Sequence, residues 1–298
     1  MRFRYFLRLA CAVVLSAFGT LSAHAYDKII VFGDSYNDVG NIYLTAAHYG
    51  IVYPPPPYYD GRFSNGPIWI EHVASDWKLP LLPSVAGGTD YATGGAELLK
   101  PIIDQGLPIP SIEDQVGAYL LANGGHADPH ALYVIEGGGN DILGATDFVP
   151  GQLACEIAKA LYGIEKTLRL AGARSFLVPE LINVGDLPAA KAAGPLFDAF
   201  ASASSLTADE ELLNLLAPDE KLPGIEIYTI ATFHTFDAIV NSKTHFGFIN
   251  ISTPCLTGPL GLTECADPDH TLFWDGEHLT EFGHTALAVL VEGQVVNH

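Results

Sequence analysis

Basic residues are scarce in this chain, with 14 Lys and Arg against 34 Asp and Glu and a formal charge of −20. Such a polyanion repels nucleic acid and anionic lipid headgroups, so nucleic acid is excluded as an expected partner. Metal-ligand spacings are also missing. Neither C-x-x-C nor H-E-x-x-H occurs, which leaves a zinc site without support, and no metal or cofactor is expected. Beyond the first 25 residues there is no second long apolar run, so no integral membrane segment is expected in the mature chain. The G-x-S-x-G elbow of ordinary α/β-hydrolases is absent, and so is any internal repeat or low-complexity linker that would divide the chain.

What is present begins with "MRFRYFLRLACAVVLSAFGTLSAHA", three arginines around a short apolar run and then Ala23-His24-Ala25, small-x-small before a cleavage point. Residues 1–25 therefore read as a secretory signal peptide; the uncharged stretch from Leu9 to Ala23 is short for a span of about 20 residues. Cleavage would make Tyr26 the N-terminus. Losing Arg2, Arg4 and Arg8 leaves 11 basic against 34 acidic residues, a formal charge of −23. Residues 26–298 suit a single domain, and a chain that is 49% hydrophobic has enough for a real core. A monomer, secreted or periplasmic, is expected. In that compartment Cys255 and Cys265, flanking "CLTGPLGLTEC", suggest a disulfide; closing a loop of about 11 residues is worth roughly 3 kcal/mol on the chain-entropy model.

Strand-like and helix-like segments alternate. Runs 27–34, 131–139, 174–181 and 225–232 are short, rich in Ile, Val, Tyr and Phe, and end near polar or glycine residues, as buried parallel strands do. Segments 151–173, 199–216 and 280–296 are helical in pattern or composition, the last with Thr280 as N-cap. The alternation implies a parallel sheet with helices on both faces and sites at the carboxyl ends of its strands. The four prolines Pro54 to Pro57 exclude regular structure and predict a stiff extended loop, either a surface connector or a wall of the substrate entrance.

Chemistry can then be placed. Ser35, in "VFGDSYNDVGN", follows the first strand, where a turn into a helix exposes its hydroxyl at the sheet edge; alone it reads equally as a helix cap. In "LFWDGEHLT", Asp275 and His278 are three apart, a spacing that brings both side chains to one side of a turn. A serine hydroxyl needs a base to take its proton, and the base needs a third group to fix its tautomer. "YATGGAEL" offers backbone N–H groups at Gly94 and Gly95, and "EGGGNDI" places Asn140 at a strand end. With the Ser35 amide, Gly95 and Asn140 could form an oxyanion hole.

These blocks, in this order, resemble the G-D-S-L or S-G-N-H hydrolases: "VFGDSYNDVGN", "YATGGA", "GGGND" and "FWDGEH", with the accessory block "GRFSNGPIWIE" (61–71) of the lipase-like branch. The resemblance runs from Ile29 to the last helix. It implies a flavodoxin-like three-layer α/β/α sandwich around a five-stranded parallel sheet. It also implies hydrolysis of carboxylic esters: lipids, phospholipids, acylated sugars or small aryl esters. Ser35 matches the nucleophile, His278 the general base, Asp275 its orienting acid, and Gly95 and Asn140 the oxyanion donors, with the choice of Gly95 over Gly94 resting on block alignment. Tyr36 replaces the leucine of the name motif, Asp90 stands where asparagine is frequent, and Leu279 takes a common proline position. The alternatives are an acyltransferase that passes the acyl group to an alcohol, and an inactive lipid- or glycan-binding relative.

Overall fold

The structure is a computed structural model that describes residues 26–241, 246–257 and 263–295; the expected signal peptide, residues 1–25, lies outside the described residues. In chain order, β1 (Lys28–Phe32) leads to α1 (Asn41–His48) and α2 (Trp69–Asp76). A small hairpin of β2 (Ile102–Asp104) and β3 (Leu107–Ile109) precedes α3 (Ile112–Ala122). Then come β4 (Ala131–Ile135), α4 (Gly139–Leu143), α5 (Pro150–Ala171), β5 (Ser175–Pro179), α6 (Pro188–Ala193), α7 (Pro195–Leu216), β6 (Glu226–Ile230), α8 (Thr232–Asn241) and α9 (Glu281–Val295).

Local chemistry explains several boundaries. At the start of α3, Ser111 Oγ accepts from Asp114 N at 3.0 Å, while the Asp114 carboxylate accepts from Ser111 N at 3.1 Å, a reciprocal cap. Proline opens α5 and α7, where its missing N–H costs nothing. Thr280 Oγ1 accepts from Gly283 N at 3.2 Å at the head of α9.

The main sheet runs β1-β4-β5-β6, with every pairing parallel and one continuous register line through Val31, Val134, Leu177 and Tyr228. Alternate residues of each strand enter different cores. Ile29, Val31, Leu132, Val134 and Leu177 pack with Trp69 and Val73 of α2 and Ala288 and Val291 of α9. Ile30, Phe32, Tyr133, Ile135 and Phe176 face the opposite way, against Val116 of α3, Ile157 and Ile164 of α5 and Phe200 and Leu212 of α7. The result is the expected three-layer α/β/α sandwich.

The strand count differs from expectation: among the described residues the sheet has four strands, not five. Residues 89–93 occupy the fifth place, along the free edge of β1. Val31 N donates to Thr89 O at 3.1 Å, Tyr91 N to Val31 O at 2.8 Å and Thr93 N to Gly33 O at 3.1 Å. Only one bridge, Val31 with Asp90, results. On the outer side of this segment a single bridge between Asp90 and Pro83 and one side chain stand in place of a ladder. The buried Asn41 amide donates to Asp90 O at 2.9 Å and Ala92 O at 2.8 Å, and its oxygen accepts from Val85 N at 3.2 Å.

Asn41→Ala would take the donor from the buried Ala92 carbonyl, while Asp90 O keeps the Ser84 N–H, so a stability loss of roughly 1 to 3 kcal/mol is expected in chemical denaturation. A loss below about 0.5 kcal/mol, the level of an ordinary surface change, would show that the segment holds its place without Asn41.

Candidate active site

Ser35 stands on a turn that its own neighbours fix. After β1, Asn37 N and Asp38 N both donate to Asp34 O, at 3.1 and 3.0 Å, and Tyr36 N donates to Asp34 Oδ1 at 3.0 Å. Gly33 is gripped through both its amide groups: its N–H donates to Gln115 Oε1 at 3.0 Å, and its carbonyl accepts from Gln115 Nε2 at 2.9 Å. Asp38 then closes the turn. Its carboxylate accepts from Gly40 N, Asn41 N and Ile42 N at the head of α1, and from Gly94 N at 2.8 Å across the sheet edge. Four amide donors favour the anion, but burial is the larger effect and pushes Asp38 up to about 6.

The second component is a tight turn just before α9. Trp274 N donates to His278 O at 2.7 Å, and Phe273 and Leu279 form an antiparallel bridge around it, which is what Leu279 does at the family's proline position. Within the turn, Asp275 Oδ1 accepts from Glu277 N and His278 N, both at 2.7 Å. That arrangement sets the carboxylate against its own imidazole: His278 Nδ1 lies 2.9 and 2.7 Å from the two Asp275 oxygens.

The two components meet at one contact, His278 Nε2 to Ser35 Oγ at 2.8 Å. Ser35, His278 and Asp275 thus form one continuous hydrogen-bonded chain, with Ser35 6% and His278 9% exposed. Burial alone would lower the imidazole's pKa and raise the carboxylate's; their mutual attraction and hydrogen bonds reverse both, so His278 is raised and Asp275 is held far below the usual carboxylate range. The remaining Asp275 oxygen takes a bond from Tyr58 OH at 2.6 Å, and the Phe63 ring stacks on His278 with centroids 4.9 Å apart. Tyr36, in place of the motif's leucine, donates its hydroxyl to Glu277 O at 2.8 Å and so braces the same turn. Behind it a second imidazole, His284, is kept neutral because burial pushes it down to about 3.

The glycine pair divides by role. Gly94 N is consumed by Asp38, and a Cβ there would lie 2.3 Å from the Phe63 ring. Gly95 sits at φ +81°, a left-handed backbone that suits glycine. Asn140, in the first turn of α4, lines the same cleft as Ser35; its Nδ2 donates to Ala96 O at 3.1 Å and, over a longer 3.3 Å, to Asp34 Oδ2. Asp90, where asparagine is frequent, accepts from Val39 N at 2.9 Å and Ala92 N at 3.0 Å, anchoring the block.

The cleft holds about 660 Å³ of empty space, open solvent included, and runs from Ser35 over the carboxyl ends of β1, β4 and β5. Its walls are mainly apolar: Trp69, Leu143, Leu181, Val184, Leu187, Leu287 and Val291. Asp34 and Glu136 lie at its polar end, where burial pushes Asp34 up to about 6 and Glu136 well above its usual range; Glu136 accepts from Asn37 Nδ2. Elsewhere Cys255 and Cys265 are joined by a disulfide, and among the described residues no His, Cys, Asp and Glu cluster could hold a metal and no helix is long and apolar enough to cross a membrane.

Sequence reasoning missed Tyr58, Phe63 and Asp38. Asp38 was within reach, because an acidic residue just before Gly40 and a helix is a capping signal. Tyr58 had no signal, as its partner is 217 positions away.

Comparison with known proteins agrees with this architecture. The family model described as GDSL-like lipase/acylhydrolase matches residues 29–291. The thermolabile hemolysin of Vibrio parahaemolyticus is 28% identical over 281 residues, 88% of this chain, which spans only 62% of the hemolysin's length. The phosphatidylcholine-sterol acyltransferase of Aeromonas hydrophila is 27% identical over 86% of this chain and 73% of its own. A crystal structure of a member of the lipolytic protein G-D-S-L family from Veillonella parvula shares the fold with a TM-score of 0.50 at 16% identity, covering 91% of this chain and 98% of that one. A family match that spans both halves of the Ser35–His278 contact places the chain in the GDSL-like lipase/acylhydrolase family of ester hydrolases.

Proposed function

We propose that residues 26–298 form one exported serine esterase or lipase domain that cleaves carboxylic esters through an acyl-enzyme. The observation that carries this reading is the unbroken chain Ser35 Oγ, His278 and Asp275, opening on a mainly apolar cleft. Ser35 attacks the ester carbonyl as His278 Nε2 takes its proton, and Asp275 stabilises the imidazolium. The charge that develops on the carbonyl oxygen is met by the Ser35 and Gly95 amides and by Asn140 Nδ2, which gives up its long contact with Asp34. His278 returns the proton to the leaving alcohol, and water, activated by the same base, releases the acid. Gly95 is preferred to Gly94 because the Gly94 N–H is already bound to Asp38.

The apolar walls suit the acyl chain of a lipid, phospholipid or small acyl ester. A half-buried Glu136 held in its neutral form is compatible with that use of the cleft. Acyl transfer to an alcohol is the second reading, favoured by the name of the Aeromonas relative; product analysis with an added alcohol separates ester formation from hydrolysis. Export is supported by the arginine-flanked apolar run before residue 25 and by the disulfide. Tyr26, the expected mature N-terminus, is docked, its hydroxyl 3.0 Å from that of Tyr228.

The test is kinetic, on p-nitrophenyl esters of increasing chain length. Ser35→Ala is expected to lower the rate about 10⁴-fold or more, with the thermal midpoint within a few degrees of wild type. A tenth of the wild-type rate in that variant would remove Ser35 as nucleophile. Asn140→Ala should cost about 10² to 10³-fold in kcat, with KM little changed, and Asn140→Asp at least as much. Near-normal turnover in Asn140→Asp would assign Asn140 to its turn only.

The pH profile carries a further expectation. His278 must be neutral to accept the serine proton, and its pKa is raised, so activity should rise with pH through a midpoint above the ordinary imidazole value of about 6.5. Tyr58→Phe removes the donor that stabilises the Asp275 anion, leaving a more basic carboxylate beside the imidazole. The acid limb should therefore move to still higher pH, with a loss in kcat much smaller than for Ser35→Ala. An unshifted limb would confine Tyr58 to packing.

A further inference from the structure

Two clefts meet at His278. The first, with Ser35 and Asn140 in its lining, is the acyl side described above. The second is a groove walled by Tyr53, Pro54, Tyr58, Phe63 and Glu277, and its described lining includes His278 but neither Ser35 nor Asn140. An alcohol that leaves by taking its proton from His278 departs on the imidazole side, so this groove is where the alcohol part of an ester lies.

We infer that the groove recognises an alcohol carrying a cationic ammonium group two carbons from the ester oxygen, the chemistry of a choline ester, through the rings of Tyr53, Tyr58 and Phe63 and the carboxylates beside them. The inference rests on the esterase reading of Ser35 and names the alcohol side of its substrate. Three observations carry it. The rings are clustered, with Phe63 at 5.7 Å from Tyr53 and 6.1 Å from Tyr58, both edge-on. Phe63 also stacks on His278 at 4.9 Å, so the aromatic surface begins within reach of a short alcohol on the reacting ester. Aromatic rings grouped around a site of this size attract quaternary ammonium groups through their negative faces.

The charge is one-sided. Glu277 and Asp275 both line the groove, and Asp104 lies beyond Tyr53, whose hydroxyl is 3.5 Å from the Asp104 carboxylate. These anions bear on the groove: the Tyr53 phenol is pushed up to about 12, first by burial and then by the fields of Asp104, Glu277 and Asp275. No lysine or arginine is among the described residues lining it. Arg62, the cation of the same loop, is held elsewhere by Glu71 at 2.6 Å and Asp60 at 3.4 Å. A neutral alcohol would leave Glu277 without a counter-charge, whereas an ammonium head supplies it; the chain's formal charge of −20 adds a long-range attraction for cations.

The experiment compares butyrylcholine with its uncharged isostere 3,3-dimethylbutyl butyrate, using p-nitrophenyl butyrate as a reference, and measures choline binding by calorimetry. The cationic ester should be favoured in kcat/KM by roughly tenfold or more at low salt. Glu277→Gln and Tyr53→Leu should each bring the ratio of kcat/KM on the two alkyl butyrates close to one and weaken choline binding. Equal rates on the two butyrates, or a preference that survives in both variants, overturns the inference while the esterase reading stands. Failure to hydrolyse any of the three esters counts against the esterase reading instead. In that event the calorimetry still decides, because wild-type protein that binds no choline overturns the groove assignment independently of turnover.

Discussion

One buried carboxylate, Asp38, organises the site. It accepts N–H groups from the head of α1 and from Gly94, and with the bond from Thr93 N to Gly33 O and that from Val39 N to Asp90 it fixes the turn bearing Ser35 relative to the strand-like segment that leads to the Gly95 amide. Neither segment forms a ladder that would do this alone; residues 89–93 make only one bridge to β1. Shortening that side chain would free two of the proposed oxyanion donors at once. Preorganised donors stabilise a transition state because they need not reorient when charge develops, and Asp38 is the part of this fold that preorganises them.

The surroundings of Ser35 are acidic, which raises the question of how an anionic transition state is tolerated. Asp34 and Glu136 both lie at the polar end of the cleft, and burial pushes Asp34 to about 6 and Glu136 well above its usual range. A carboxyl group drawn toward its protonated form by burial repels the developing oxyanion less than a free carboxylate would, an effect stronger for Glu136 than for Asp34. Asp275 behaves in the opposite way because the His278 imidazole and Tyr58 hydroxyl both favour its anion. Acids in one small region thus differ in how readily they ionise, set by what each touches.

The parts legible in the sequence are those whose determinants are local. β1, β4 and β5 announce themselves as apolar runs because strands buried on both faces have no polar side to hide, and the half-buried edge strand β6 is legible through its Ile, Tyr and Thr. Asp275 and His278 can be paired once Ser35 supplies a reason for a base, because their spacing fits one turn, and that turn, bonded through Asp275 Oδ1, fixes both. The fifth strand was not legible as it stands: the edge beside β1 is held by the Asn41 amide, a side-chain contact 49 positions away that no periodicity encodes. The proline segment left two readings open, and Tyr53 and Pro54 line a groove that reaches His278, in keeping with the second. Tyr58 was silent for the reason that made Asn41 silent, since its partner comes from the far end of the chain.

The central claim is that Ser35, and no other residue, becomes the nucleophile through its contact with His278. Peptide mass spectrometry of protein treated with an organophosphorus serine reagent tests it most directly. The account predicts one adduct per chain, on Ser35, formed in step with loss of esterase activity and absent from His278→Ala. Complete inactivation with Ser35 unmodified, or full labelling of Ser35 in the His278 variant, would contradict it.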